Sequence, residues 1–127
     1  MSMGKLRKMQ KRKSNPNLIK LIDELLVASA KNEAKVWKDI AERVAKPRRL
    51  HAEVNISKIE RYAKDNETIV VPGKVLGSGK ISKQVTVAAL NFSESAKRKI
   101  EEVGGRCLTI MQLLEENPKG NNIRIMA

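Results

Sequence analysis

The sequence predicts an α/β protein, helical and basic in its first half and mixing short strands with capped helices in its second. Three observations carry this. Apolar residues recur at helical spacing between Leu18 and Leu26 and again between Val36 and Val44. Two β-branched runs, residues 69–71 and 85–89, flank a glycine-rich, lysine-bearing segment. An amphipathic stretch then opens on Ser93 and closes on Gly104-Gly105, the signature of a capped helix.

Residues 1–15 carry Lys5, Arg7, Lys8, Lys11, Arg12 and Lys13 with no acid and little apolar content. Such a segment cannot bury enough surface to offset its conformational entropy. A basic, flexible arm that orders on a polyanion is expected. From Asn15 or Asn17, with Pro16 near the start, a first helix aligns Leu18, Leu21, Ile22, Leu25 and Leu26. A second, over about 33–45, aligns Val36, Trp37, Ile40, Ala41 and Val44 as its antiparallel partner. Pro47 then forbids continuation, leaving Lys46 to His51 as a stiff basic connector with Arg48 and Arg49 adjacent. A third short helix, about 55–64, turns Ile56, Ile59 and Tyr62 or Ala63 inward. It sets Lys58, Arg61 and Lys64 along another face.

The first strand is expected over 68–71, stopped by Pro72-Gly73, with Val75-Leu76 returning as a second. Val85, Val87 and Ala89 form a third, at least half buried. The helix after Ser93 buries Ala96, Ile100 and Val103 and leaves Lys97, Arg98 and Lys99 outside. Residues 106–108 read as a buried strand, with Cys107 a small hydrophobe. Thr109-x-x-Gln112 is a capping box opening a last helix with Ile110, Leu113 and Leu114 inward. A short tail with Arg124 follows. The expected organisation is the arm, 1–15, and one domain, 16–127, divided into a helical part, 16–64, and a mixed part, 65–127.

Charge decides the class of partner. Lysine and arginine number 26 against 14 acids, a net charge of +12. Self-repulsion of that size calls for a polyanion, and nucleic acid fits better than an anionic membrane surface. No apolar run approaches the length of a bilayer span. One cysteine suits a reducing cytosol. Trp37, Tyr62 and Phe92 are too few and too scattered to stack a single strand base by base. Binding should therefore grip phosphates and shape.

The segment PGKVLGSGKISK invites a nucleotide reading that its spacing refuses. A P-loop needs GxxxxGK followed by Ser or Thr. Here the first glycine would fall on Lys74 and the magnesium-binding hydroxyl on Ile81. Gly77-x-Gly79 lacks the third glycine of a dinucleotide site. What remains is Gly77 and Gly79 among Lys74, Lys80 and Lys83, a group suited to an oxyanion such as RNA phosphate; the plainer alternative is a solvated turn. Catalysis finds no foothold. The lone His51 and Cys107 and the dispersed carboxylates form no nucleophile–base pair or metal set, so no cofactor, metal or small-molecule substrate is expected.

Two stretches together carry a resemblance. PGKVLGSGKISKQVTVAALNFSESAKRKIEEVGG resembles the signature shared by large-subunit ribosomal proteins fifteen, of bacteria, and eighteen-e, of archaea and eukaryotes. KPRRLHAEVNISKIERYAK resembles a segment of the eighteen-e family alone. The resemblance covers most of residues 46–105, and the short chain looks archaeal rather than eukaryotic. It implies an irregular ββα core with a small sheet preceded by helices. It further implies a structural, cytoplasmic component of the large ribosomal subunit, bound to its rRNA and to neighbouring ribosomal proteins. By position it points to Arg48, Arg49 and Lys58, and to Lys74, Gly77, Gly79, Lys80 and Lys83; Arg61 and the six arm cations join them on charge alone. An autonomous RNA-binding or RNA-remodelling factor outside the ribosome is the alternative.

Overall fold

The computed structural model describes residues 16–127. The arm expected at residues 1–15 lies outside them. Five helices run over Pro16–Asn32 (α1), Lys35–Ala45 (α2), Ile56–Tyr62 (α3), Glu94–Glu102 (α4) and Ile110–Glu116 (α5). Five strands run over Ala52–Asn55 (β1), Thr68–Leu76 (β2), Thr86–Phe92 (β3), Arg106–Thr109 (β4) and Ile123–Ile125 (β5). All pairings are parallel, in the order β1-β2-β3-β4. β5 pairs with the first part of β2, Thr68 to Val70, and β1 with its second part, Gly73 to Leu76.

Both faces of the sheet are covered, as a parallel sheet requires. On one face Val70, Ala88 and Leu108 meet α1, α2 and α5 through Leu25, Trp37, Ile40 and Leu113. On the other, Ile69, Val71, Val87 and Ala89 meet α3 and α4 through Ile59, Ala96 and Ile100. The alternation of Ile69, Val70 and Val71 between the two clusters is the two-residue strand period made visible. Trp37 is fully buried, and its indole Nε1 donates to the Pro118 carbonyl at 2.7 Å.

Helix boundaries follow local chemistry. Ser93 Oγ accepts from the Ala96 amide, and Thr109 with Gln112 closes the expected reciprocal capping box. Gly104, at φ +87°, supplies the left-handed turn after α4. The second helix starts two residues later than expected because Glu33 has φ +52°, which breaks the chain between α1 and α2. Tyr62 is exposed, and Ala63 alone takes the inward place offered to both. β4 exposes Arg106 and Thr109 and buries only Leu108 fully. Cys107 is half-buried; burial pushes its thiol up to about 11, with Glu101 reinforcing the shift and Lys97 opposing it. It therefore stays protonated at neutral pH.

The strand expectations need correction at Pro72-Gly73. That pair does not end the strand: β2 passes through it with a bulge between Val71 and Lys74, and no second strand folds back. Proline is tolerated where the ladder shifts register. Gly73 is needed because a Cβ there would collide with the Ala52 carbonyl of β1. β1 and β5, both unanticipated, flank this same strand. Since β2 and β3 are parallel, the glycine-rich segment is no turn between antiparallel strands. Residues 77–85 are a helix-free crossover returning from the end of β2 to the start of β3.

Candidate RNA interface

This crossover is strapped along α3. The Ser57 amide donates to the Ser78 carbonyl at 3.3 Å. Ser82 donates through its hydroxyl (2.6 Å) and its amide (3.2 Å) to the Glu60 carboxylate. Chiefly through that hydroxyl bond, and against partial desolvation, Glu60 is held below the ordinary carboxylate range; the Ser82 amide and the nearby Lys83 charge assist. Lys83 Nζ donates to the carbonyls of Glu60 (2.6 Å) and Ala63 (2.7 Å), satisfying the C-terminal end of α3. From α4, Lys99 donates to the carbonyls of Gly77 (2.8 Å) and Gly79 (3.1 Å). Ile81 is buried beneath the strap.

The two glycines serve the strap before they serve any ligand. A Cβ on Gly77 would run into Ser95 and the Ala96 amide in the first turn of α4. Gly79, at φ +97°, would meet Ser57 in the first turn of α3. Their close approach is thus to the protein's own helices. Lys80 stays exposed, without an ion pair or hydrogen bond among the described residues.

The other predicted cations divide in the same way. Lys74 lies on β2, beside Glu53 across the ladder, and alternates with the core-facing Val75. It therefore stands on the opposite sheet face from the strap. Arg48 and Arg49 form an exposed single turn of 3-10 helix and pair with no described acid. His51 anchors that connector: its Nε2 lies 2.9 Å from the carbonyls of both Val44 and Lys46. Both are acceptors, so this nitrogen carries the proton and caps α2. On α3, the Lys58 ammonium donates to the Ala127 carbonyl at 2.6 Å, and Arg61 lies 6.0 Å from the Tyr62 ring centroid. Lys5, Arg7, Lys8, Lys11, Arg12 and Lys13 lie outside the described residues.

Sequence reasoning missed Lys99, Glu60 and Ser57 as residues that shape the glycine segment. Lys99 was legible only as one of three adjacent cations on a helix exterior. No local signal marks a lysine that reaches across to a loop twenty residues earlier.

Placement also resolves the charge. The five helices carry ten cations and ten acids. The whole excess of twelve equals the cations of three segments that contain no acid: six in residues 1–15, three in the connector (Lys46, Arg48, Arg49), and three along 74–83 (Lys74, Lys80, Lys83). Among the described residues no group of His, Cys, Asp or Glu comes together to hold a metal ion, and no helix is long and apolar enough to cross a membrane.

Fold and surface together define a basic α/β scaffold with balanced helices and cationic connections. The family model described as ribosomal protein 60S L18 and 50S L18e matches residues 2–127, and the chain belongs to that family. It is 70% identical over 115 residues to large ribosomal subunit protein eL18 of Archaeoglobus fulgidus, spanning 91% of this chain and 98% of that protein. The corresponding protein of Methanoregula boonei is 57% identical over 114 residues (90% and 94%). That of Haloarcula marismortui is 52% identical over 114 residues (90% and 97%). The resemblance drawn from residues 46–105 thus extends over nearly the whole chain.

Proposed function

We propose that this protein is a non-catalytic structural component of the large ribosomal subunit in the cytoplasm of an archaeon. It binds large-subunit rRNA and lies against neighbouring ribosomal proteins. Family membership supports the assembly. The observation that carries RNA binding is the segregation of charge: the entire excess lies in acid-free segments between or before the helices. Exposed cations in such segments, with no acid nearby in sequence, can replace counterions along a phosphate backbone. Arg48 and Arg49 suit bidentate phosphate contacts, being exposed and adjacent on a turn that His51 fixes. Lys80 offers a point charge at the tip of the strap. The arm cations add to the same charge excess, and Lys58 and Arg61 lie on α3, along which the strap runs.

Two measurements test this reading. In cell extract the chain should travel stoichiometrically with the large subunit through a high-salt wash; recovery as a free protein would favour an autonomous RNA-binding factor. With Arg48→Gln, Arg49→Gln and Lys80→Gln combined, the slope of log K against log salt for large-subunit rRNA should flatten by about two units, since each phosphate contact contributes roughly 0.7 to 0.9. An unchanged slope would remove these residues from the interface.

A further inference from the structure

Three consecutive carbonyls of the strap are turned toward the protein. Gly77 and Gly79 accept from Lys99 Nζ, and Ser78 accepts from the Ser57 amide. No peptide bond among the described residues is cis. In a planar trans peptide the C=O and the following N–H point in opposite directions. The amides of Ser78, Gly79 and Lys80 therefore point away from the groups that hold those carbonyls. None of the three donates to an acceptor among the described residues, and all three residues are exposed. Three successive amides left without an acceptor in the described chain, beside an unpaired lysine, offer donors suited to an oxyanion.

We propose that Lys99 is a positioning residue for RNA. By drawing in the carbonyls of Gly77 and Gly79, its ammonium sets the strap with carbonyls inward and amides outward. The amides of Ser78, Gly79 and Lys80, together with Lys80 Nζ, then receive one phosphodiester of large-subunit rRNA. This rests on the RNA-binding reading above. Lys99 spends its donors on the loop, so its charge acts on the phosphate through backbone geometry. A lysine suits this work because its three donors can serve two carbonyls at once. The strap is organised before RNA arrives, so less ordering cost falls on binding.

The test uses the full chain and transcribed large-subunit rRNA. Lys99→Met should weaken binding about three- to ten-fold, the scale of ordering one or two loop groups on association. Its salt slope should match that of the unaltered chain, and Lys99→Arg should restore most of the affinity. Lys80→Gln should lower the slope instead. Unchanged affinity in Lys99→Met would overturn the proposal. So would a slope reduced by roughly 0.7 to 0.9, because Lys99 would then be a phosphate contact itself. Hydrogen exchange on the unaltered chain gives an answer independent of any variant's folding. The amides of Ser78, Gly79 and Lys80 should exchange rapidly when free and become protected with RNA bound, and absence of that protection would also overturn it. If the unaltered chain shows no preference for large-subunit rRNA over an unrelated RNA of equal length, the underlying reading fails. Binding with that preference but without protection sinks only the role given to the strap.

Discussion

The helices and the segments that join them use the same charged residues to different ends. In the helices ten cations face ten acids, and pairs such as Arg43–Asp39 (2.9 Å) form along one helix. Exposed pairs of this kind add little stability, but they cancel charge locally. The connector over 46–51 and the strap over 77–85 contain no acid at all. They owe their shape to backbone groups: His51 on the end of α2, Lys83 on the end of α3, Lys99 on the strap's own carbonyls. A cation satisfied by a carbonyl holds a segment in place without neutralising it. The fold thereby holds a positive surface in place largely through backbone groups, with the Glu60 and Asp65 carboxylates accepting from Ser82 and Gln84 of the strap.

The largest expected effect lies wholly on the helical side of that comparison. Trp37→Ala should cost about 3–5 kcal/mol in chemical unfolding, because a fully buried indole and its bond to Pro118 are lost. Under conditions where the variant still folds, its salt slope on rRNA should not change. A changed slope would mean that core and interface are coupled. Next comes Gly104→Val, where a β-branched residue would be forced to φ +87° against Gln84, at a cost of about 1–2 kcal/mol. An unchanged melting temperature there would show that the end of α4 tolerates another geometry.

Two lysines three residues apart sharpen the contrast most. Lys83→Gln should cost about 1 kcal/mol, since two carbonyls at the end of α3 lose a charged donor. Lys80→Gln should stay within about 0.5 kcal/mol of the unaltered chain. On RNA the order should reverse, with Lys80→Gln lowering the salt slope more. Equal behaviour of the two in both assays would erase the distinction between holding and binding. The smallest effect is acid loosening of the strap. Glu60 has a folded pKa below its ordinary 4.5. Its contribution is therefore complete above that value and is lost as pH falls through the lower folded one. Exchange at the Ser82 amide should quicken over that interval, and Ser82→Ala, lacking the main hydrogen bond, should show a weaker dependence on pH.

Local chemistry made much of the fold legible. The stripes Leu21-Ile22-Leu25-Leu26 and Trp37-Ile40-Ala41-Val44 are buried as their spacing implies. Ser93, Thr109 with Gln112, and Gly104 mark helix ends because capping is settled within four residues. The glycine segment was the hardest to read. Its glycines and lysines suit an exposed turn equally well, and nothing within ten residues distinguishes a turn from a crossover. Ile123–Ile125 and Ala52–Asn55 were too short to announce themselves as strands, and the strand each pairs with among the described residues, β2, is not its neighbouring element along the chain.

What the sequence by itself determined is whatever depends on neighbours along the chain: the helices, their caps, the net charge of +12, and the refusal of a nucleotide-binding spacing. Tertiary structure decided which cations remain available. Lys83, Lys99 and His51 are bound to carbonyls, whereas Arg48, Arg49 and Lys80 are exposed with no described acid to meet. The physical reason is reach. A lysine's charge is written in its identity, but its partner depends on which backbone lies within a few ångströms of its ammonium, and only the assembled layers bring α3, α4 and the strap that close.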